Sequence, residues 1–240
     1  MNYFAKSEIG CARKNNEDSF LVREMGANTI YLICDGMGGH SSGEVASQMA
    51  VQFTQTWNPD MTQIRKADVQ EILKKLVEDI NIRIYLKSKS AEQYNGMGTT
   101  FSLAMLHKKN IHIAHIGDSR IYGLGKTIEL LTQDHTYLSE LKKRGVEIEE
   151  DKVRDYRKYI TRAMGTSTIE RPDLMIYPKK AYEYLFMCTD GVTNHLSDEE
   201  IFQMYATRLD DKTFVDQIVN ACLERGGKDN ITCIFAEIGE

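Results

Sequence analysis

The run Ile30-Tyr31-Leu32-Ile33-Cys34 ends on one carboxylate, Asp35, followed by Gly36-Met37-Gly38-Gly39, His40 and the polar start of a helix. Five consecutive apolar residues of this kind have the length and composition of a buried strand. The acid at its end is therefore delivered to one edge of a sheet. A strand that hands an acid to a glycine-rich bend can hold a cation or approach a phosphate. Asp-Gly is also a favoured hairpin dipeptide, and taken alone the stretch reads better as a turn.

The rest of the chain surrounds that strand with alternating element types. Asn2 to Ile9 and Ser19 to Glu24 read as strands around a polar loop, Gly10 to Asp18. Val45, Met49, Phe53 and Trp57 recur at helical spacing, with Ser41 or Ser42 as the cap. A longer helix from about Lys66 carries a stripe from Val69 to Ile84. Both stripes are one-sided, so these helices should cover a sheet. From Thr99 to Gly125, three apolar runs separated by Lys108-Lys109-Asn110 and Gly117-Asp118-Ser119 read as an antiparallel meander. Gln133 to Tyr159 is densely charged and reads as a short helix followed by a mobile surface excursion. Strands follow at Leu174–Tyr177 and Tyr184–Met187, helices at Asp198–Ala206 and Lys212–Glu224, and a last strand at Ile231–Ile238. Strands interleaved with two pairs of helices define an α+β architecture with helix-covered sheets.

Composition narrows the function classes. A hydrophobic content of 42% with 27% charged residues fits a soluble globular protein, and 240 residues suffice for a substantial core. A formal net charge of -5 and no Lys/Arg stripe argue against nucleic acid as the main partner. No apolar run approaches the roughly 20 residues that span a bilayer. The start, MNYFAKSEIG, has no basic region followed by an apolar stretch, so no signal peptide is expected. Cys11, Cys34, Cys188, Cys222 and Cys233 form no metal-binding spacing, and a reducing, cytoplasmic compartment is the default.

Four acids share one context. Asp35 ends an apolar strand, Asp118 follows another, Asp190 follows a third and Asp229 precedes a fourth, each with glycine close by. Glu17-Asp18 closes the polar loop before a strand. For any one of these, a helix cap or Asx turn is the better reading, and Asp198 belongs to that class. If the ends converge, such a cluster requires raised pKa values or bound cations. Oxygen donors without a cysteine or histidine cluster select Mg²⁺ or Mn²⁺. Arg13, in the same loop as Glu17 and Asp18, could present a fork of donors to a phosphate.

The ordered segments RKNNEDS, ICDGMGGHSSGEVAS, GMGTTF, IGDSRIY, LTQDHT, ITRAMG, FMCTDGVTNHLSDEEI and GGKDNITCIF span nearly the whole chain. In them the chain resembles the metal-dependent type-2C protein serine/threonine phosphatases in their compact bacterial form. The resemblance implies an α-β-β-α sandwich of two stacked antiparallel sheets flanked by helices. It implies one catalytic domain over residues 1–240 with a flap at Lys142 to Arg162. Asp35 would bridge two Mn²⁺ or Mg²⁺ ions, Gly36 would lend its carbonyl, and Asp190 and Asp229 would hold the first ion. Glu17 and Asp18 would act through coordinated waters. Asp118 matches the position tied to a third, weaker metal, and Arg13 the phosphate-binding arginine. A metal-bridging water would attack phosphorus in line, with no phosphoenzyme.

Animal members place a histidine directly after the Asp-Gly pair, where this chain has Met37. His40 could instead protonate the leaving oxygen, or cap the following helix. His112 and His115 are three apart in a strand and should face opposite sides; His107 reads as surface and His135 as structural. The implied substrates are phosphoproteins modified by a Ser/Thr kinase, and a monomer is the default. Two rival readings are a catalytically silent relative that binds phosphoproteins and a two-metal nuclease. The first is disfavoured because every matched position is filled, the second because no basic groove is legible.

Overall fold

The computed structural model describes residues 2–38, 42–59 and 66–239. Strands β1 (Tyr3–Glu8), β2 (Asp18–Met25) and β3 (Asn28–Met37) come first, then helices α1 (Gly43–Thr56) and α2 (Lys66–Ser88). A short β4 (Gly98–Thr99) leads into β5 (Phe101–His107), β6 (Asn110–Ile116), β7 (Arg120–Leu124) and β8 (Ile128–Leu130). Two short helices, α3 (Tyr137–Lys143) and α4 (Glu150–Arg157), precede β9 (Asp173–Pro178) and β10 (Tyr184–Cys188). The chain ends with α5 (Asp190–Thr193), α6 (Asp198–Ala206), α7 (Asp211–Glu224) and β11 (Ile231–Glu237).

Two antiparallel sheets result. One has the order β1-β11-β10-β7-β8 and the other β2-β3-β5-β6-β9, with β4 paired to the end of β3. Side chains alternate across each strand, so each sheet feeds two apolar layers. Tyr31, Ile33, Ala104 and Ile113 meet Ile121, Leu185, Met187 and Ile234 between the sheets. The opposite face of β3, β5 and β6 packs on α1 and α2 through Leu32, Leu103, Ala46, Leu73 and Ile80. The outer face of the other sheet packs on α6 and α7 through Phe186, Phe235, Ile201, Phe214 and Ile218. The one-sided helical stripes thus cover sheets as expected, and the fold is the α-β-β-α sandwich.

Three local readings change. The expected meander is broken: β5 and β6 pair, but β7 pairs with β10 and β8 in the other sheet. Gly117 at φ +112° turns the chain between the sheets, and a Cβ there would lie 2.5 Å from Thr100 Cγ2. Side-chain alternation identifies strands but does not say which sheet takes them. His107 is buried rather than at the surface, with Nδ1 2.7 Å from Asn28 Oδ1. It shares the helix-covered face of the sheet, which its charged neighbours in sequence conceal. The charged excursion after α3 contains a second helix, α4, and closes through a bridge between Thr136 and Ile160. His112 and His115 do face opposite sides. Ser42 is the N-cap of α1, though its side chain makes no capping hydrogen bond, and Ser41 lies outside the described residues.

Candidate active site

The matched acids arrive from separate elements at one end of the sandwich. Asp18 opens β2 directly opposite Asp35 near the end of β3. Asp118 follows β6, Asp190 opens α5 after β10, and Asp229 precedes β11. Glu17, Asp35, Asp118, Asp190 and Asp229 line one cleft of about 750 Å³, together with Arg13 and Gly36. Asp18 lies behind them, buried, and Thr189 Oγ1 donates to its Oδ2 at 3.0 Å. Glu150, Val153 and Arg157 bring α4 into the wall of the same cleft. His40 lies outside the described residues, and His195 is the histidine that lines the cleft among those described.

Backbone and side-chain hydrogen bonds hold the acids in place. Asp35 N–H donates to Thr100 Oγ1 at 2.8 Å, and Thr100 N–H donates to the Asp35 carbonyl at 2.8 Å. The same Thr100 hydroxyl lies 2.8 Å from Ser119 Oγ, so one threonine joins the Asp35 strand to the Asp118 turn. His135 clamps the other side of that turn. Its Nδ1 accepts from Gly117 N–H at 3.0 Å and its own N–H donates to the Gly117 carbonyl at 2.8 Å. Asn194, four residues along α5, donates from Nδ2 to Asp190 Oδ2 at 2.9 Å. Gly36 is a glycine for packing: a Cβ there would lie 2.3 Å from the Gly43 carbonyl oxygen and 2.6 Å from that of Glu17.

Asn230 fastens three segments. Its Oδ1 accepts from Glu17 N–H at 2.9 Å, and its Nδ2 donates to the carbonyls of Ile9 (3.0 Å) and Asn15 (2.9 Å). The polar loop that carries Arg13 and Glu17 is thereby tied to Asp229. Arg13 Nη2 donates to Asp229 Oδ2 at 2.8 Å. A guanidinium has five N–H donors in a fixed fork, so that bond leaves others for a second anion.

Electrostatics mark the same residues. Burial, reinforced by Asp190 and Asp229, pushes the Asp18 carboxyl up to about 7 against hydrogen bonds from Thr232 and Thr189. Burial and Asp229 push Asp190 up to about 6. Asp35 is raised well above the usual carboxylate range by burial and then by Asp18, Asp190, Asp118 and Asp229. Asp118 is raised likewise, by burial and by Asp190 and Asp134. Like charges crowded in a poorly solvated site either take up protons or attract cations.

The donor set is suited to hard cations. It consists of carboxylates and backbone carbonyls, and the four buried cysteines are protonated thiols whose pKa values burial raises. Asp18 Oδ1 and Asp118 Oδ1 are buried without a hydrogen-bond partner among the described residues. An unsatisfied buried carboxylate oxygen is costly, and a cation or its bound water satisfies it. No group of three or more His, Cys, Asp or Glu among the described residues is already gathered into a set that could hold a metal ion. The fit therefore rests on the donor chemistry and the two orphaned oxygens.

An acid-lined cleft at the end of an α-β-β-α sandwich narrows the class, and comparison with known proteins supplies the family. The family model for protein phosphatase 2C matches residues 12–234, and the chain belongs to that family. It is a serine/threonine phosphatase of this type, acting on phosphoproteins. It is 33% identical over 236 residues to the serine/threonine phosphatase stp of Listeria welshimeri, covering 97% of this chain and 94% of the relative. The crystal structure of serine/threonine phosphatase Stp1 from Staphylococcus aureus superposes with a TM-score of 0.92 at 31% identity, covering 99% of this chain and 95% of that one. The catalytic domain of the phosphatase PstP, in complex with two manganese ions, has a TM-score of 0.83 at 29% identity, covering 98% and 97%.

Asn230, Asn194, Thr100 and Thr189 were not legible as site residues. Asn230 follows Asp229 directly and Asn194 lies one helical turn after Asp190, and that adjacency is the only signal the sequence carries for them.

Proposed function

We propose that the cleft hydrolyses phosphoserine and phosphothreonine esters with two Mn²⁺ or Mg²⁺ ions, on one catalytic domain of residues 1–240 with its flap at Lys142 to Arg162. The observation that carries this reading is the meeting of Glu17, Asp35, Asp118, Asp190 and Asp229 in one cleft beside Arg13. Asp35, the Gly36 carbonyl, Asp190 and Asp229 would hold the ions. Glu17 and Asp18 would act through waters, and Asp118 would serve a third, weaker site. Bound there, such ions would neutralise the carboxylates, polarise the phosphoryl group and lower the pKa of a water.

This chain's residues supply the rest. Arg13 presents its remaining N–H donors to the phosphoryl oxygens while Asp229 holds its orientation. Thr100 and Asn194 keep Asp35 and Asp190 fixed, so that a water meets phosphorus in line with the scissile bond. The water gives up a proton to solvent as its oxygen bonds to phosphorus and the P–O bond breaks, and the departing serine or threonine oxygen takes a proton. No phosphoenzyme forms. His40 remains the proposed proton donor. The substrates are proteins phosphorylated by a Ser/Thr kinase, and the working form is a cytoplasmic monomer.

The deciding measurement is turnover of a phosphothreonine peptide and of p-nitrophenyl phosphate, with and without Mn²⁺. Release that requires Mn²⁺ and collapses in Asp190→Asn supports the reading. Release that persists unchanged in Asp190→Asn overturns the assigned centre.

A further inference from the structure

The end of the sandwich opposite the acid-lined cleft carries a second concavity, of about 800 Å³. Lys108, Lys109, Lys179 and Lys180 line it, from the β5–β6 turn and from the segment after β9. Strand β6 runs between the two ends. From Asn110, at this concavity, to Ile116, just before the Asp118 turn, the strand advances about 20 Å at the usual rise.

The two lysine pairs are held together by the fold. Lys179 N–H donates to the Lys109 carbonyl at 3.0 Å, and Asn110 faces Pro178 in the β6–β9 ladder. His107 pairs with Asn110, so Lys108 and Lys109 form a two-residue hairpin turn. Such turns favour Asn-Gly or a leading glycine. Here Lys108 takes φ +50°, a conformation that disfavours a residue with a Cβ by roughly 1 kcal/mol. Lys108 stands in this turn against its conformational preference.

Lys109, Lys179 and Lys180 make no ion pair among the described residues. Two acids also line the concavity, so its lysines outnumber its carboxylates four to two. Glu183 accepts from Tyr205 Oη at 3.2 Å and Glu237 from Asn2 Nδ2 at 3.3 Å. Pro178, Tyr182 and Ile238 give it apolar walls.

We propose that this concavity docks an acidic segment of a partner protein, with carboxylates at the lysine rim and a large apolar side chain against Tyr182 and Ile238. Charge complementarity selects the occupant. The chain carries a formal net charge of -5, so four lysines gathered on one concavity form a local site for an acidic chain on a molecule that otherwise repels one. A small inorganic anion would leave the apolar walls uncovered, and a bilayer is too flat to fill a concavity. The inference does not depend on the catalytic reading, since it concerns the far end of the strands.

The test is fluorescence anisotropy with a short fluorescein-labelled peptide in which glutamates alternate with leucine and phenylalanine. Saturable binding is expected. It should weaken at least about tenfold in the triple variant Lys109→Glu, Lys179→Glu, Lys180→Glu, and should weaken as salt is raised. Lys108→Gly, which suits the turn better than lysine and therefore keeps the fold, should weaken binding about threefold. Circular dichroism and the thermal midpoint check that each variant is folded. Any of four results overturns the proposal: no saturable binding, equal binding of a glutamine-for-glutamate peptide, equal affinity in the folded triple variant, or preference for anionic phospholipid vesicles over the peptide.

Discussion

Where β3, β6 and β10 stop and β2 and β11 begin, carboxylates are packed together, two of them with oxygens that find no hydrogen-bond partner among the described residues. Where β5 turns into β6 and β9 leads towards β10, lysines of the same sheets stand in or near water. Each end carries an excess of one sign, carboxylates over basic side chains such as Arg13 and Arg157 at the first and lysines over Glu183 and Glu237 at the second. Only the acid end is buried, and burial is what turns a charge cluster into chemistry. Its carboxyl groups are driven towards the proton-bound form, whereas solvated ammonium groups keep their charge at little cost. The acid end can be stabilised by a cation, and the lysine end is open to an anionic chain.

The largest contrast should appear in turnover. Asp190→Asn is expected to lower Mn²⁺-dependent hydrolysis of p-nitrophenyl phosphate by about 10³-fold, since loss of a direct metal ligand removes several kcal/mol of transition-state stabilisation. Steady-state kinetics at saturating Mn²⁺ measures it.

Asn230→Ala should be the next largest. It removes three side-chain hydrogen bonds, to Glu17 N–H and the carbonyls of Ile9 and Asn15, at a site that is 4% exposed. A loss of about 3 kcal/mol in urea unfolding is expected. A loss below about 1 kcal/mol would mean that the loop holds itself in place.

Asn194→Ala leaves Asp190 present but loosely oriented, and should lower kcat/KM by about 10- to 100-fold with little change in thermal midpoint. Ser or Asp at the same position should not restore activity, because neither presents an amide donor to Asp190 Oδ2.

A pH effect of about 1 kcal/mol per pH unit should separate the ends further. In EDTA, the folded acid end retains protons that the unfolded chain releases, since Asp18 is raised to about 7 and Asp190 to about 6. Stability from these groups is full below the ordinary carboxylate range and is lost as pH rises from about 4 to about 7. Asp18→Asn should flatten that slope, as read by chemical denaturation across the window. Stability that rose steadily with pH in EDTA, and did so equally in Asp18→Asn, would show that the acids are well solvated. At the other end, Lys109→Ala should change stability by less than about 0.5 kcal/mol.

Much of this contrast was legible in the chain. The acids at strand ends, the boundaries of α6 and the one-sided stripes of α1 and α2 follow from periodicity and from residues adjacent in sequence. His107 shows where that reading stops. Two lysines follow it, yet it lies under helices and bonds Asn28, 79 residues away. Asn230 shows the same limit on the functional side. Nothing beside it in sequence except Asp229 points to a role, and its partners lie more than 200 positions earlier.

The sequence by itself determined which residues form strands and helices, the identity and order of the acids, and through its ordered motifs the family. These depend on side-chain chemistry and on spacings of a few residues, which a chain carries before it folds. The tertiary structure alone decided that β7 leaves β6 for the other sheet, that Thr100 joins Asp35 to the Asp118 turn, and that Lys109 meets Lys179. Each of those is a pairing between distant segments. Its free energy depends on how the two sheets close over their shared apolar layer, and no local pattern encodes that closure.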